Sequence, residues 1–329
     1  MKETLKTLCA AYGASGNENG VALVIRDMIA PYVDEIREDA LGNLIAVRRG
    51  AGKRVMLAAH MDQIGFVVTD IEKEGFLRVH NVGGIRKLSS VNRRVVFESG
   101  LSGALSVEEK DHDPADATML KLFIDIGATS REQAETMVRR GDMAVYSPDI
   151  FEMGDFLSGP AMDNRAGCAL LVEALKALSG RRNEVVAVFT TQEEVGLRGA
   201  RAAAWGIEPD VGIALDVTGC GDTPNANRLA IAAGDGIAIK VMDMSLICTP
   251  AVVAALERAA ERAGAKYQRE VLTFGGTDAG AIQQSRGGVP AGLLSIPCRY
   301  VHSAVETVNL SDMREGVKLL VSYLENDVL

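Results

Sequence analysis

The spacing of apolar positions changes character along this chain, and each change predicts a different kind of element. Residues 1–65 open with helical spacing in LKTLCAAYGA and again in GVALVIRDMIAPYVDEI, then switch to two short β runs, NLIAVRRG and KRVMLAAH. From 66 to 152 the pattern shortens to runs such as FVVTDI, FLRVHNV, RRVVF, GALSV and KLFIDI, broken by glycine and charged turns. One helical stretch interrupts them, SREQAETMVRRG, with Ser130 as its expected cap and Glu132 and Glu135 in its early turns. After Pro160, apolar strands alternate with helices: RAGCALLVEALKAL, EVVAVFTT, GLRGARAAAW, DVGIALDV, PAVVAALERAAERAG, VPAGLLSIP and MREGVKLLVSYLEN. Strands so continuously apolar are buried on both faces, as in a sheet covered by helices. The order predicts nesting: an α/β domain made from 1–65 and 153–329, interrupted by a small β-barrel-like domain at 66–152.

Composition adds limits to that picture. A length of 329 residues suits about two domains. Lys plus Arg number 35 against 44 Asp plus Glu, and a net charge of -9 repels a phosphate backbone, so no nucleic-acid partner is expected. The five cysteines, Cys9, Cys168, Cys220, Cys248 and Cys298, are scattered and lack CxxC spacing, as free thiols in a reducing compartment do. The first residues do not form a signal peptide, and no apolar run reaches about 18 residues. A cytoplasmic protein without a membrane partner is expected. The glycine pairs at 83–84, 275–276 and 287–288 fit neither a dinucleotide fingerprint nor a P-loop.

Chemistry enters at the strand ends, where open α/β sheets bind ligands. His60 and Asp62 follow VMLAA, Glu193 and Glu194 follow VVAVFTTQ, Asp216 follows VGIAL, Asp163 lies in SGPAMDNRAG, and His302 lies in PCRYVHS. Two imidazoles and several carboxylates form the nitrogen and oxygen donor set of zinc or cobalt, and enough of them for two ions. His60 and Asp62, two apart on an extended segment, share a face, so Asp62 can accept from the second ring nitrogen of His60. Glu193 and Glu194 are adjacent and diverge: one can bind metal while the other acts as a general base toward water. Asp163 can bridge two ions or cap the helix that follows it. Asp216 ends a buried strand, where a carboxylate needs a partner such as a metal.

Taken in order, HMDQIGF, GPAMDNRAG, TTQEEVGLRGA, ALDVT, GGTDAGA and VHS resemble the M42 family of metallo-aminopeptidases, which includes glutamyl aminopeptidases and is similar to deblocking aminopeptidases. The resemblance runs through essentially the whole chain. It implies a mixed-sheet α/β/α zinc-peptidase-like catalytic domain with an inserted small β-barrel or PDZ-like domain that serves oligomerisation and substrate access. It implies two divalent ions, zinc or cobalt, with His60 and Asp216 on one, Glu194 and His302 on the other, and Asp163 bridging. Glu193 would be the acid/base, Asp62 would orient His60, and the Asp163–Asn164 peptide would be cis. The implied reaction is removal of N-terminal residues from short peptides through a water activated by both ions, within a homo-oligomer such as a tetrahedral dodecamer.

Other readings compete. A related bimetallic amidohydrolase or carboxypeptidase-type hydrolase would use the same water chemistry on N-acyl or C-terminal bonds, and an assembly protein could keep the fold without activity. Thr277 and Asp278, in TFGGTDAGA, resemble the family's active-site loop and are candidates for substrate binding, although an ordinary Asp cap explains them almost as well. Arg299, three residues before His302, could face an acidic substrate side chain or serve the structure alone. His80 and His112 have no acidic framework and are read as solvated.

Overall fold

The computed structural model describes residues 1–85, 90–108, 121–226 and 229–329; His112 lies outside them. Helices α1 (Lys2–Ala10) and α2 (Asn19–Ile29) lead into strands β1 (Glu35–Glu38), β2 (Leu44–Arg48) and β3 (Arg54–His60). Next come β4 (Gly65–Ile71), β5 (Leu77–Val82), β6 (Arg93–Phe97), β7 (Ser102–Val107) and β8 (Leu122–Asp125). Helix α3 (Arg131–Glu135) precedes β9 (Met143–Tyr146), β10 (Phe151–Met153) and β11 (Phe156–Gly159). Helix α4 (Met162–Ala177), β12 (Glu184–Thr190), α5 (Arg198–Ile207), β13 (Val211–Gly219) and β14 (Ile237–Met242) continue the chain. It ends through α6 (Pro250–Ala263), β15 (Tyr267–Val271), α7 (Asp278–Gln283), β16 (Ala291–Arg299), β17 (Glu306–Asn309) and α8 (Leu310–Leu324).

Eleven strands form one mixed sheet in the order β1-β2-β12-β3-β13-β16-β17-β11-β10, with β14 joined to β16 and β15 joined to β14. Strands β12, β3, β13 and β16 are mutually parallel, so their carboxyl ends share an edge, with Thr190 level with His60 and Asp216 level with Ser295. Alternation of side chains across each strand serves two helical layers. Val55, Leu57 and Ala59 of β3 join the core under α1, α2, α4, α6 and α8, whereas Met56 and Ala58 pack with Ala203, Ala204 and Ile282 of α5 and α7. That double burial is why these strands read as continuous apolar runs.

Strands β4 to β9 close into an antiparallel barrel, order β4-β5-β8-β7-β6-β9, around its own core. Phe66 and Tyr146 meet edge to face there, 5.6 Å between ring centroids. Short β10 and β11 return the chain to the large sheet, where β11 pairs with β17.

Local corrections follow from particular residues. The helical spacing over 20–36 gives a helix only to Ile29; a 3-10 turn, Ala30–Tyr32, holds Pro31, and Glu35–Glu38 pairs with β2 as β1. Proline lacks the N–H that would continue the ladder. In SREQAETMVRRG the helix is five residues long, and Ser130 Oγ caps it by accepting from the Gln133 N–H at 3.3 Å. Among the described residues, no helix is long and apolar enough to cross a membrane.

Candidate metal centre

The sheet edge assembles what the sequence scatters. His60 is the last residue of β3, Asp216 lies within β13, Glu193 and Glu194 occupy the turn after β12, Asp163 lies in the first turn of α4, and His302 lies in the turn after β16. Asp163 is the junction. Its Oδ1 stands 3.1 Å from His60 Nε2 and its Oδ2 stands 3.3 Å from His302 Nε2. Asp216 Oδ1 is 3.6 Å from His60 Nε2, and Glu194 Oε2 is 3.4 Å from His302 Nε2. Two groups of donors result, His60–Asp163–Asp216 and Asp163–Glu194–His302, each with its donor atoms within 4.8 Å of one another. Glu193 belongs to neither, and its Oε2 lies 3.9 Å from His60 Nε2.

The start of α4 explains why Asp163 faces both imidazoles. Asp163 and Asn164 lie outside helical φ/ψ, and the peptide between them is cis. Asn164 does the local capping instead: its Oδ1 accepts from the Gly167 N–H at 2.9 Å while its Nδ2 donates to the Leu215 carbonyl at 2.8 Å. The Asp163 carboxylate faces the two imidazoles.

Asp62, fully buried, ties the segments together. Its Oδ1 accepts from the Glu193 N–H at 3.0 Å, and its Oδ2 accepts from the Glu194 N–H at 3.2 Å and from Ser15 Oγ at 2.7 Å. Toward His60 Nδ1 the nearer partner is the Asp62 carbonyl, at 3.1 Å, with the carboxylate at 3.4 Å. Behind this, the buried Arg165 guanidinium donates to the Met61 carbonyl at 2.7 Å and to the Leu8 carbonyl at 2.6 Å, pinning the segment that carries His60 against α1.

The electrostatics test whether divalent cations fit. Burial pushes the carboxyls of Glu193, Glu194 and Asp216 upward from their ordinary range. Burial opposes charge on His60, yet Glu193, Asp163, Asp216 and Asp62 outweigh it and raise the imidazole well above its usual value. His302 meets the same opposition and is still pushed up to about 12 by Asp163 and Glu194. Five carboxylates thus face two imidazoles, and Glu194 Oε1 is buried with no hydrogen-bond partner among the described residues. Buried carboxylates in excess of the imidazoles, all offering oxygen or nitrogen donors, are what a pair of divalent ions neutralises.

A cavity of about 630 Å³ adjoins the clusters and is lined beyond them by Thr218, Leu229, Lys240, Leu272, Phe274 and Thr277, among others. Thr277 Oγ1 donates to Asp243 Oδ2 at 3.3 Å. Asp278 is buried and not part of the lining, its Oδ2 accepting from Thr190 Oγ1 at 2.5 Å; burial pushes its carboxyl up to about 7. Arg299 is also outside the lining, paired with both oxygens of Asp222 at 3.0 and 2.6 Å and stacked 4.7 Å from the Phe156 ring centroid. His80 is exposed on the barrel.

Two supports escape a reading of the sequence. Glu306 accepts backbone N–H bonds from both Asp163 and His302. Gly83 and Gly84, just past β5 of the barrel, press on the second cluster: a Cβ on Gly84 would lie 2.9 Å from His302 Nδ1, and one on Gly83 would lie 3.2 Å from Glu194 Oε2. Glycine pairs that fit no phosphate loop are a weak signal of such close approach.

A family model described as M42 glutamyl aminopeptidase matches residues 42–319. A provisionally named aminopeptidase of Acetivibrio thermocellus is 49% identical, covering 98% of both chains. An aminopeptidase from the archaeon Desulfurococcus kamchatkensis superposes with a TM-score of 0.95 at 36% identity, over 99% of this chain and 94% of that one. The TET1 peptidase of Pyrococcus horikoshii, which can assemble into a tetrahedron or a large octahedral shell, gives 0.88 at 34% identity over 98% of each.

Proposed function

This chain belongs to the M42 glutamyl aminopeptidase family and is a metal-dependent aminopeptidase, and from that premise we propose how its residues divide the work. His60, Asp163 and Asp216 would hold one ion, and Asp163, Glu194 and His302 would hold the other. Zinc or cobalt suits these donors. Two such ions, when bound, would supply Lewis acidity toward the scissile carbonyl and the attacking water. Glu193 takes that water's proton and returns it to the leaving nitrogen. Asp62 keeps Glu193 and Glu194 in place through their amides, and holds the turn beside His60. Thr277 lines the space for the N-terminal residue; Asp278 backs the loop that carries it, and the Arg299–Asp222 pair fixes the facing wall.

The single observation that carries this reading is the Asp163 carboxylate, with one oxygen on each imidazole and Glu193 beside the pair but outside both clusters. The discontinuous domain of 1–65 and 153–329 does the chemistry. The inserted segment 66–152 mediates self-association and access of short peptides, in a homo-oligomer on the plan of a tetrahedral dodecamer; the shell-forming TET1 relative supports that. Scattered free thiols support a cytoplasmic site of action.

A peptide panel tests the reaction. Release of the first residue from peptides with a free N-terminus, and none from N-acetylated ones, is the expected result. Cleavage of the acetylated peptides, or loss of residues from the C-terminus, would instead identify an amidohydrolase or a carboxypeptidase.

A further inference from the structure

Strand β17 runs between the two segments that carry Asp163 and His302. On one side it pairs with β11, Gly159 opposite Glu306, and the chain reaches Asp163 four residues later. On the other it pairs with β16, Arg299 opposite Thr307, three residues before His302. Glu306 opens β17 and is 1% exposed. Its Oε1 accepts from the His302 N–H at 2.7 Å and its Oε2 accepts from the Asp163 N–H at 2.9 Å. Both oxygens therefore face donors, and one rigid carboxylate spans the backbones of two metal-facing residues from different segments.

We infer that Glu306 is a positioning residue for the second ion: it sets the separation of His302 and Asp163, and so the geometry of the Asp163–Glu194–His302 cluster. The inference rests on the ligand assignment proposed above. The second ion is the sensitive one because of what else holds each ligand. His60 and Asp216 sit in strands whose ladders fix them, and Asn164 bonds across to Leu215 beside Asp216. His302 lies beyond β16 at φ 62°, a left-handed conformation that a non-glycine residue keeps only when its surroundings enforce it. The Glu306 bond to its amide supplies that enforcement.

Glu306→Gln keeps the size and shape but turns one acceptor into an NH2 donor, which meets an N–H head on. Only one of the two bonds survives. Groups that orient metal ligands through hydrogen bonds typically govern about 10- to 100-fold in metal affinity. The variant is expected to lose about that factor at the second ion and little at the first.

The test is titration of metal-free wild type and Glu306→Gln with Co2+ against a competing chelator, following visible absorption and bound metal per chain. Wild type should take up two ions. A variant that binds the first as wild type does and the second about 10- to 100-fold more weakly supports the inference. Equal weakening of both ions, or no change, overturns it while leaving the ligand assignment standing; fewer than two ions on wild type overturns both. Amide hydrogen exchange on metal-free wild type needs no variant to fold. The Asp163 and His302 amides should be as protected as those of β17, and exchange at the rate of exposed turns would overturn the inference.

Discussion

The two candidate metal clusters share a carboxylate and little else. In the first, His60 and Asp216 belong to neighbouring parallel strands, and the side chains of His60, Asp163 and Asp216 are 2%, 9% and 7% exposed. In the second, His302 and Glu194 stand in turns, His302 is 28% exposed, and support comes from Glu306 on one side and from barrel residues Gly83 and Gly84 on the other. The sheet carries two of the three donors of one site, whereas turns carry His302 and Glu194 of the other, with Gly83 and Gly84 beside them. A strand ladder fixes a side chain with many backbone bonds, so losing one contact matters little; a turn residue depends on one or two. The second ion should therefore be the more readily exchanged, and chelation should remove it first.

That contrast can be broken in a graded way. Asp163→Asn leaves one oxygen where two are needed, so both ions should be lost and turnover should fall to background, as read by bound metal and peptide release. Retention of one tight ion would mean that Asp163 serves a single cluster. Glu193→Gln should keep both ions and lower kcat by about 10²- to 10⁴-fold, the usual worth of a general acid/base. If turnover persists with metal content intact, another group moves the proton.

How much of this the sequence reveals follows the same division. Strand-built parts are legible, because VMLAAH and VGIALD announce buried strands that carry His60 and Asp216, although β13 runs three residues past Asp216, to Gly219. The ordered motifs then bring in Asp163, Glu193, Glu194 and His302. Glu306 is not legible: in ETVNL it looks like any polar residue opening a short strand, and only the pairing of β17 with both β11 and β16 gives it two amides. Gly83 and Gly84 belong to a distant segment and become relevant only when the barrel closes over His302. Strand β14 hides for another reason. Its Lys240 breaks the apolar run, yet the side chain is buried against Glu270, 3.1 Å away.

Smaller effects sharpen the comparison. Asp62→Asn presents an amide NH2 to the Glu193 or Glu194 N–H and loosens the turn next to His60, so metal affinity should drop about 10-fold. Because Asp62 serves segments of both clusters, isothermal titration should find both ions weakened; an effect confined to the second ion would contradict this. Gly84→Ala places a methyl 2.9 Å from His302 Nδ1. Crowding of about 1 kcal/mol, roughly a fivefold loss of affinity, is expected at the second ion alone. An equal loss at both ions would show that the barrel does not act through His302.

The two-cluster centre depends on two ions flanking one carboxylate. Anomalous diffraction from crystals grown with zinc or cobalt, recorded on both sides of the metal edge, reports their number, identity and ligands together. Two peaks, one against each oxygen of Asp163, with His60 and Asp216 at the first and Glu194 and His302 at the second, are the expected result. A single peak, or metal bound away from Asp163, would contradict the account.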